Sequence, residues 1–270
     1  MAGACGVGID GCRGGWVAAR WSGDGWAFGL FETLEQWGVS RGWRSRRRGG
    51  GGAGLTLIDM PIGLLEGEGE GEGVEGVQRG CDVAARRLLG RRSSSVFTPP
   101  CREALSTGDY AAACAVNRRV VGRAMSLQAW HIVPKVAEVD AWLRPGGGET
   151  DAKRAGLLAE SHPELVFALL SGEPMETKKR SAEGRAERAG LIDELARGGE
   201  VLAAIDAWRV GECVGRGVVA DDDALDAAVL AWVASRPGRE VEALPSPGEV
   251  DRRGLAMRMV VPGPTLRVLG

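Results

Sequence analysis

An α/β fold, with helices on the faces of a mixed sheet, is predicted by three features of the sequence. Three extended runs follow one another near the start: Cys5–Asp10, Trp16–Trp21 and Trp26–Phe31. Two shorter apolar runs, Leu55–Asp59 and Gly156–Ala159, come later and are separated by helical stretches. A long helical segment then begins at Asp221-Asp-Asp223. A meander followed by strand–helix–strand units gives strands of both directions in one sheet.

Each element has a local reason. Cys5–Asp10 is apolar and built of small residues, and the glycine-rich turn Gly11–Gly15 leads into Trp16–Trp21, with Val17 and its alanines. Ser22-Gly-Asp-Gly25 is a hairpin signal ahead of the alternating run Trp26–Phe31. Thr33 can cap a helix running to about Trp43, with Leu34, Trp37 and Val39 inward. Leu55–Asp59 (LTLID) is the kind of near-continuous apolar strand that is buried on both faces, and Met60-Pro-Ile-Gly63 is the turn after it. From Val77 to Leu143 the pattern is helical: Leu127, Trp130, Val133, Val136, Val139 and Trp142 recur every three residues, with Pro134 as a break or kink. Gly156–Ala159 ends in Glu160, and Pro163 suits the first turn of another helix. The segment from Asp221 continues as a helix through about Ser235. Gly49–Gly52, the Glu-Gly tract Glu66–Gly73, Arg144–Gly148 and Arg236–Pro247 read as loops.

At 270 residues the chain fits one large domain, or one domain with a substantial insertion. Its 44% apolar content is ordinary for a globular protein. No apolar run approaches about 18 residues, so no membrane span is expected. The start of the chain has neither a basic region nor an apolar core, which argues against a signal peptide. Six cysteines form no C-x-x-C pair and there are only two histidines, so a zinc site is not expected and reduced thiols in the cytoplasm are. The formal charge of −2 gives no global attraction to nucleic acid, so any grip on phosphate must be local.

The chemistry lies in the acids. Three candidate strands end alike, in GID at Asp10, LID at Asp59 and LLAE at Glu160. Ligands of α/β sheets sit outside the carboxyl ends of parallel strands, so neighbouring strands would bring these acids together. Asp223 and Asp226 are three apart and share a face of the last helix. Such a cluster repels itself and needs cations or protons. Hard oxygen ligands favour Mg²⁺ or Mn²⁺, and two such ions can clamp the oxygens of phosphoryl transfer. The plainer alternative makes Asp10 a turn residue and Asp221–Asp223 first-turn helix acids. Repetition at successive strand ends favours ligands.

The blocks GIDGCRGGW, IDMPIGL, RGCDVAARRLLGRRSSSVFTPPCREAL, MSLQAWHIVPKVAEVD, ESHPEL and DDALDAAVLAW occur in order from about residue 6 to 235. Together they resemble an uncharacterised prokaryotic family of predicted RNase H-like nucleases, domain of unknown function 429. The resemblance implies one RNase H-like domain over residues 1–270, with a mainly helical insertion around 74–150. It implies a five-stranded sheet of order 3-2-1-4-5, in which the strands ending at Asp10, Asp59 and Glu160 are adjacent and parallel. The D-x-x-D-A run Asp223–Ala227 is similar to the last-helix motif of Holliday-junction resolvases. On that analogy Asp10, Asp59 and Asp226 bind Mg²⁺ or Mn²⁺, Asp223 or Glu160 supports them, and the reaction is hydrolysis of nucleic-acid phosphodiesters.

Other residues are candidates for holding substrate. Arg13 lies in the turn beside Asp10, and Lys179, with Lys178 and Arg185, can meet a phosphate or remain an ordinary surface lysine. His162 and Glu164 are a base or supporting groups, or else a cap and a first-turn acid. Arg79 and Arg86 belong to a basic run that can grip phosphate oxygens or form a solvated helix face. Ser126 and Gln128 face a cleft or simply begin their helix. An acidic chain with five Phe and Tyr residues suits a short, single-stranded or nucleotide-sized substrate better than a long duplex. Two alternatives remain: nucleotide phosphoryl transfer of the actin-like ATPase kind, and a non-catalytic nucleic-acid or scaffold protein. The first normally needs a second phosphate loop, and no repeat of the GID block occurs. G-x-x-x-x-G-K-[ST] is absent, and GCRGG leads into a strand rather than the helix a dinucleotide fingerprint requires.

Overall fold

The computed structural model describes residues 5–40, 43, 55–67, 78–144 and 158–266. The loops expected at Gly49–Gly52, 68–73 and 145–148 lie outside the described residues, as do the first two residues of the expected run Gly156–Ala159. The chain divides into two compact units. One comprises Met1–Asp59, Gly156–Glu242 and Val260–Gly270, the other Met60–Ala155 and Ala243–Met259.

The strands are β1 (Gly6–Cys12), β2 (Gly15–Trp21), β3 (Trp26–Phe31), β4 (Thr56–Ile58), β5 (Leu158–Glu160), β6 (Val241–Val250) and β7 (Ala256–Pro262). The α-helices among the described residues are α1 (Leu34–Val39), α2 (Gly80–Leu89), α3 (Tyr110–Val121), α4 (Leu127–Leu143), α5 (Pro163–Ser171), α6 (Ala182–Leu195), α7 (Val201–Glu212) and α8 (Asp221–Ala234). None is long and apolar enough to cross a membrane.

In the first unit β1–β5 form one sheet of order β3-β2-β1-β4-β5, the order the resemblance implied. The β1–β2 and β2–β3 pairs are antiparallel, whereas β1–β4 and β4–β5 are parallel. The chain is therefore an α/β protein with a mixed sheet. Ser22 N–H closes the second hairpin on the Gly25 carbonyl at 3.4 Å. Gly15 turns the first with φ +123°, where a side chain would meet the Phe31 carbonyl.

The smallness of β1 has a packing reason. A Cβ on Gly6 would run into the backbone of Ala231 and Ser235, and one on Gly8 into that of Ala227 and Ala231. These glycines let α8 lie directly against β1. Every residue of α8 from Ala224 to Ala234 is buried, so the helix has no polar stripe. Around it Val17, Leu57, Val166, Phe167 and Ile192 complete the core.

Three element ends differ from the sequence expectation. Helix α1 stops at Val39, short of Trp43, because Gly38 and Val39 are poor helix formers and Ser40 leaves in an extended conformation. Leu34 and Trp37 are buried, but Val39, expected inward, is exposed at this last position of the helix. Strand β1 runs past Asp10 to Cys12, because its pairing with β2 continues into the turn, whereas β5 ends at Glu160 as expected. Part of the loop expected at Arg236–Pro247 is strand, since β6 begins at Val241 and pairs with β7. Pro245, Pro247 and Gly248 hid it, but a two-stranded sheet has only edges, where proline is tolerated.

The second unit holds α2, α3 and α4 and two 3-10 turns, Gly90–Ser95 and Arg102–Ser106. Helix α4 continues through Pro134. Cys101, Ala113, Val121, Met125 and Val133 form a small core. Buried Arg102 donates to Asp140 at 2.9 Å and to Asp251. Asp251 also accepts the backbone N–H groups of Leu64 and Leu255 at 3.0 and 2.9 Å.

Candidate metal centre

Ladder geometry brings the first two acids together. The Asp59 N–H donates to the Ile9 carbonyl at 2.9 Å, so the parallel pairing of β1 and β4 continues to the acids themselves. Asp10 lies two residues beyond Gly8 and shares its face, the one α8 covers. On α8, Asp226 stands one turn before Leu230, whose Cβ faces Gly8. One carboxylate oxygen from each of Asp10, Asp59 and Asp226 then lies within 4.8 Å of the other two. Asp10 and Asp226 are buried, and Asp59 is partly exposed.

This crowding shows in the electrostatics. Burial raises the Asp10 carboxyl well above the usual range; Asp59, Asp226 and Asp223 add to this and Lys179 opposes it. Burial pushes Asp59 up to about 6, with Asp226 adding and His162 and Lys179 opposing. Asp223 is also pushed up to about 6, by burial and by Asp222, against the Ala220 N–H and Lys179. Attraction to Asp226 raises the Lys179 ammonium above its ordinary value. The lysine stands 2.9 Å from Asp226 Oδ2 and 3.7 Å from Asp222 Oδ2.

The remaining candidates sit as follows. One Asp10 oxygen accepts the Gly11 N–H at 2.6 Å, so this residue also ties down its turn. Asp223 Oδ2 accepts the Ala220 N–H at 3.2 Å at the start of α8. Glu160 is buried at the end of β5 and is not one of the three grouped acids. His162 caps α5, its Nδ1 accepting from the Leu165 N–H at 3.4 Å, and Glu164 pairs with buried Arg188 at 2.8 Å. Arg13 is exposed, in a turn tied to the segment before α8 by Gly14 N–H on the Val218 carbonyl at 3.1 Å.

Arg79, Arg86, Ser126 and Gln128 belong to the second unit. Arg79 is buried, bound to Asp82 and to the carbonyls of Ile62 and Gly63. Arg86 donates to the Val96 carbonyl, Gln78 and Thr98. Ser126 Oγ caps α4, accepting from the Ala129 N–H at 3.1 Å, and Gln128 is exposed.

The sequence did not single out Asp222, Arg180 or Arg209. Asp222 is buried, with Arg180 at 3.4 Å, and Arg209 binds Asp221 and the Val219 carbonyl. The available signal was three consecutive acids matched by the basic residues of 178–188.

No curated protein and no solved structure matches the chain. A family model described as "Protein of unknown function (DUF429)" matches residues 8–250 and takes in all three grouped acids. Extending over most of the sequence, that match makes the chain a member of the DUF429 family.

Proposed function

We propose that the protein is a divalent-metal-dependent nuclease that hydrolyses phosphodiesters of short or single-stranded nucleic acid. The observation that carries this reading is the convergence of Asp10, Asp59 and Asp226, with oxygens mutually within 4.8 Å. The donor set fits: three hard carboxylate oxygens, without thiol or imidazole among them, suit Mg²⁺ or Mn²⁺ rather than zinc. When bound, such an ion supplies positive charge to a phosphate oxygen and lowers the pKa of a bound water.

The protein's own groups do the rest. Asp10 and Asp59 are fixed by the strand ladder and Asp226 by α8, so the acids are held in place before substrate arrives. Lys178 and Arg180 are exposed on either side of Lys179, beside the acid-bearing start of α8, where they can attract phosphates that the net charge of −2 would not. Arg13 supplies a further exposed cation on the β1–β2 turn.

Calorimetric titration of Mg²⁺ and Mn²⁺ into the protein and into Asp10→Asn tests the reading, followed by Mn²⁺-supplemented cleavage assays on single-stranded DNA, RNA and nucleotides. Binding by the unmodified protein alone, with cleavage that the substitution abolishes, is the expected result. Absence of both binding and cleavage would sink the proposal. A second reading has one observation in its favour: Lys179 already neutralises part of the acid cluster. A nucleic-acid-binding or scaffold protein needs nothing more, and tight binding without turnover would support it.

A further inference from the structure

The segment leading into α6 is built to aim one lysine. The Glu187 carboxylate accepts the backbone N–H groups of Glu176 and Thr177 at 3.1 and 3.3 Å, and the Thr177 hydroxyl as well. The Ser181 N–H donates to the Lys178 carbonyl at 3.0 Å, and Ser181 Oγ accepts from the Gly184 N–H at 3.0 Å. A Cβ on Gly184 would collide with that same Lys178 carbonyl, so the strap lies hard against the helix. From this clamped backbone the Lys179 side chain reaches Asp226.

The two partners differ in freedom. The Asp226 side chain is 4% exposed and fixed on a buried helix, whereas that of Lys179 is 42% exposed on a flexible stem. A divalent ion shared by the three acids would be a second cation on Asp226, and like charges at one carboxylate repel. The group able to move is the ammonium.

We propose that Lys179 is a tethered counter-cation, seated on Asp226 while the acids hold no divalent ion and displaced when one binds. Rested on the metal reading above, this makes ion loading release a positive charge at the rim of the site. The displaced ammonium is then available to a phosphate oxygen of the substrate. Metal affinity is accordingly held down by the protein's own lysine, and loading and substrate capture are coupled through one side chain.

The test uses the full chain, with Lys179→Met and Lys179→Arg, in Mn²⁺ titration calorimetry. Thermal midpoints of the metal-free proteins are measured alongside, with and without Asp226→Asn. Lys179→Met is expected to bind Mn²⁺ about tenfold more tightly, a coupling of ordinary size. Lys179→Arg, which keeps the charge, should stay near the unmodified affinity. Metal-free Lys179→Met should melt lower than the unmodified protein, and Asp226→Asn should erase that difference. Equal or weaker Mn²⁺ binding by Lys179→Met overturns the exchange and leaves the metal reading standing. Failure of every variant and the unmodified protein to bind Mn²⁺ overturns both.

Discussion

Three consecutive aspartates open α8, and each has a different partner. Asp221 is gripped by Arg185 and Arg209, with Arg216 at 3.4 Å. Asp222 takes Lys179 and Arg180. Asp223 turns back to the Ala220 N–H, and Asp226, one turn later, joins Asp10 and Asp59. Where arginines predominate, the acid is stabilised as an anion: burial alone would raise Asp221, but hydrogen bonds from Arg209 and Arg185 hold it below its ordinary value. Where burial is not offset by arginines, the sign reverses. Asp59 and Asp223 are raised to about 6, and Asp10 is raised well above its ordinary range. A raised acid binds more protons folded than unfolded, so its stabilising contribution is complete below the ordinary carboxylate pKa and disappears as pH rises through the folded value. The thermal midpoint of the metal-free protein should therefore rise as the pH is lowered from about 7 to about 5, and Asp10→Asn should reduce that rise. Asp251, held low by Arg102 against burial, loses its contribution only as pH falls through its depressed value, below this window. A midpoint unchanged or falling over the interval would contradict the assignment.

At the level of elements, the gap between β1 and α8 sets the depth of the acid site. Gly8→Ala would press a methyl group against the α8 backbone and push Asp226 away from Asp10. The expected cost is about 1–3 kcal/mol of stability, as for other overpacked cores. Chemical denaturation would read that loss and Mn²⁺ calorimetry a weaker affinity; a destabilised variant with unchanged affinity would separate the packing from the site. The strands bearing these acids were legible because a short apolar run ending in a carboxylate is local information. Strand β6 was not, since Pro245, Pro247 and Gly248 are turn residues everywhere except at such an edge. Lys179 was legible as a cation but not as the partner of Asp226, 47 residues away. That pairing depends on Glu187 and Gly184 fixing the strap, and no spacing rule links a loop lysine to a helix clamp. The glycines of β1 were visible as small residues, yet what lies over them is fixed only by packing.

On the scale of the whole molecule, the proposed nucleic-acid substrate would have to be held by a slightly acidic chain through a local group of cations. If the strap residues Lys178, Lys179 and Arg180 carry the phosphate contacts, binding of single-stranded nucleic acid should weaken with salt at a slope of log K against log salt of about −2. Fluorescence anisotropy across a salt series, with metal present, would measure it. A slope several times steeper would mean that a larger basic surface carries the contacts. The mixed sheet was legible in the strand pattern and its order was implied by the family resemblance, but the division into two compact units was not legible, because Ala243–Met259 joins the second unit from far along the chain. One consequence concerns biosynthesis. Asp10 is on the first strand and Asp226 on the last helix, with β4 contributing Asp59 between them. A nascent chain released before residue 226 carries at most two of the three acids, so the site cannot assemble until translation has passed the helix that closes it. Under the metal reading proposed above, a fragment that stops before residue 226 should therefore lack the three-acid site altogether.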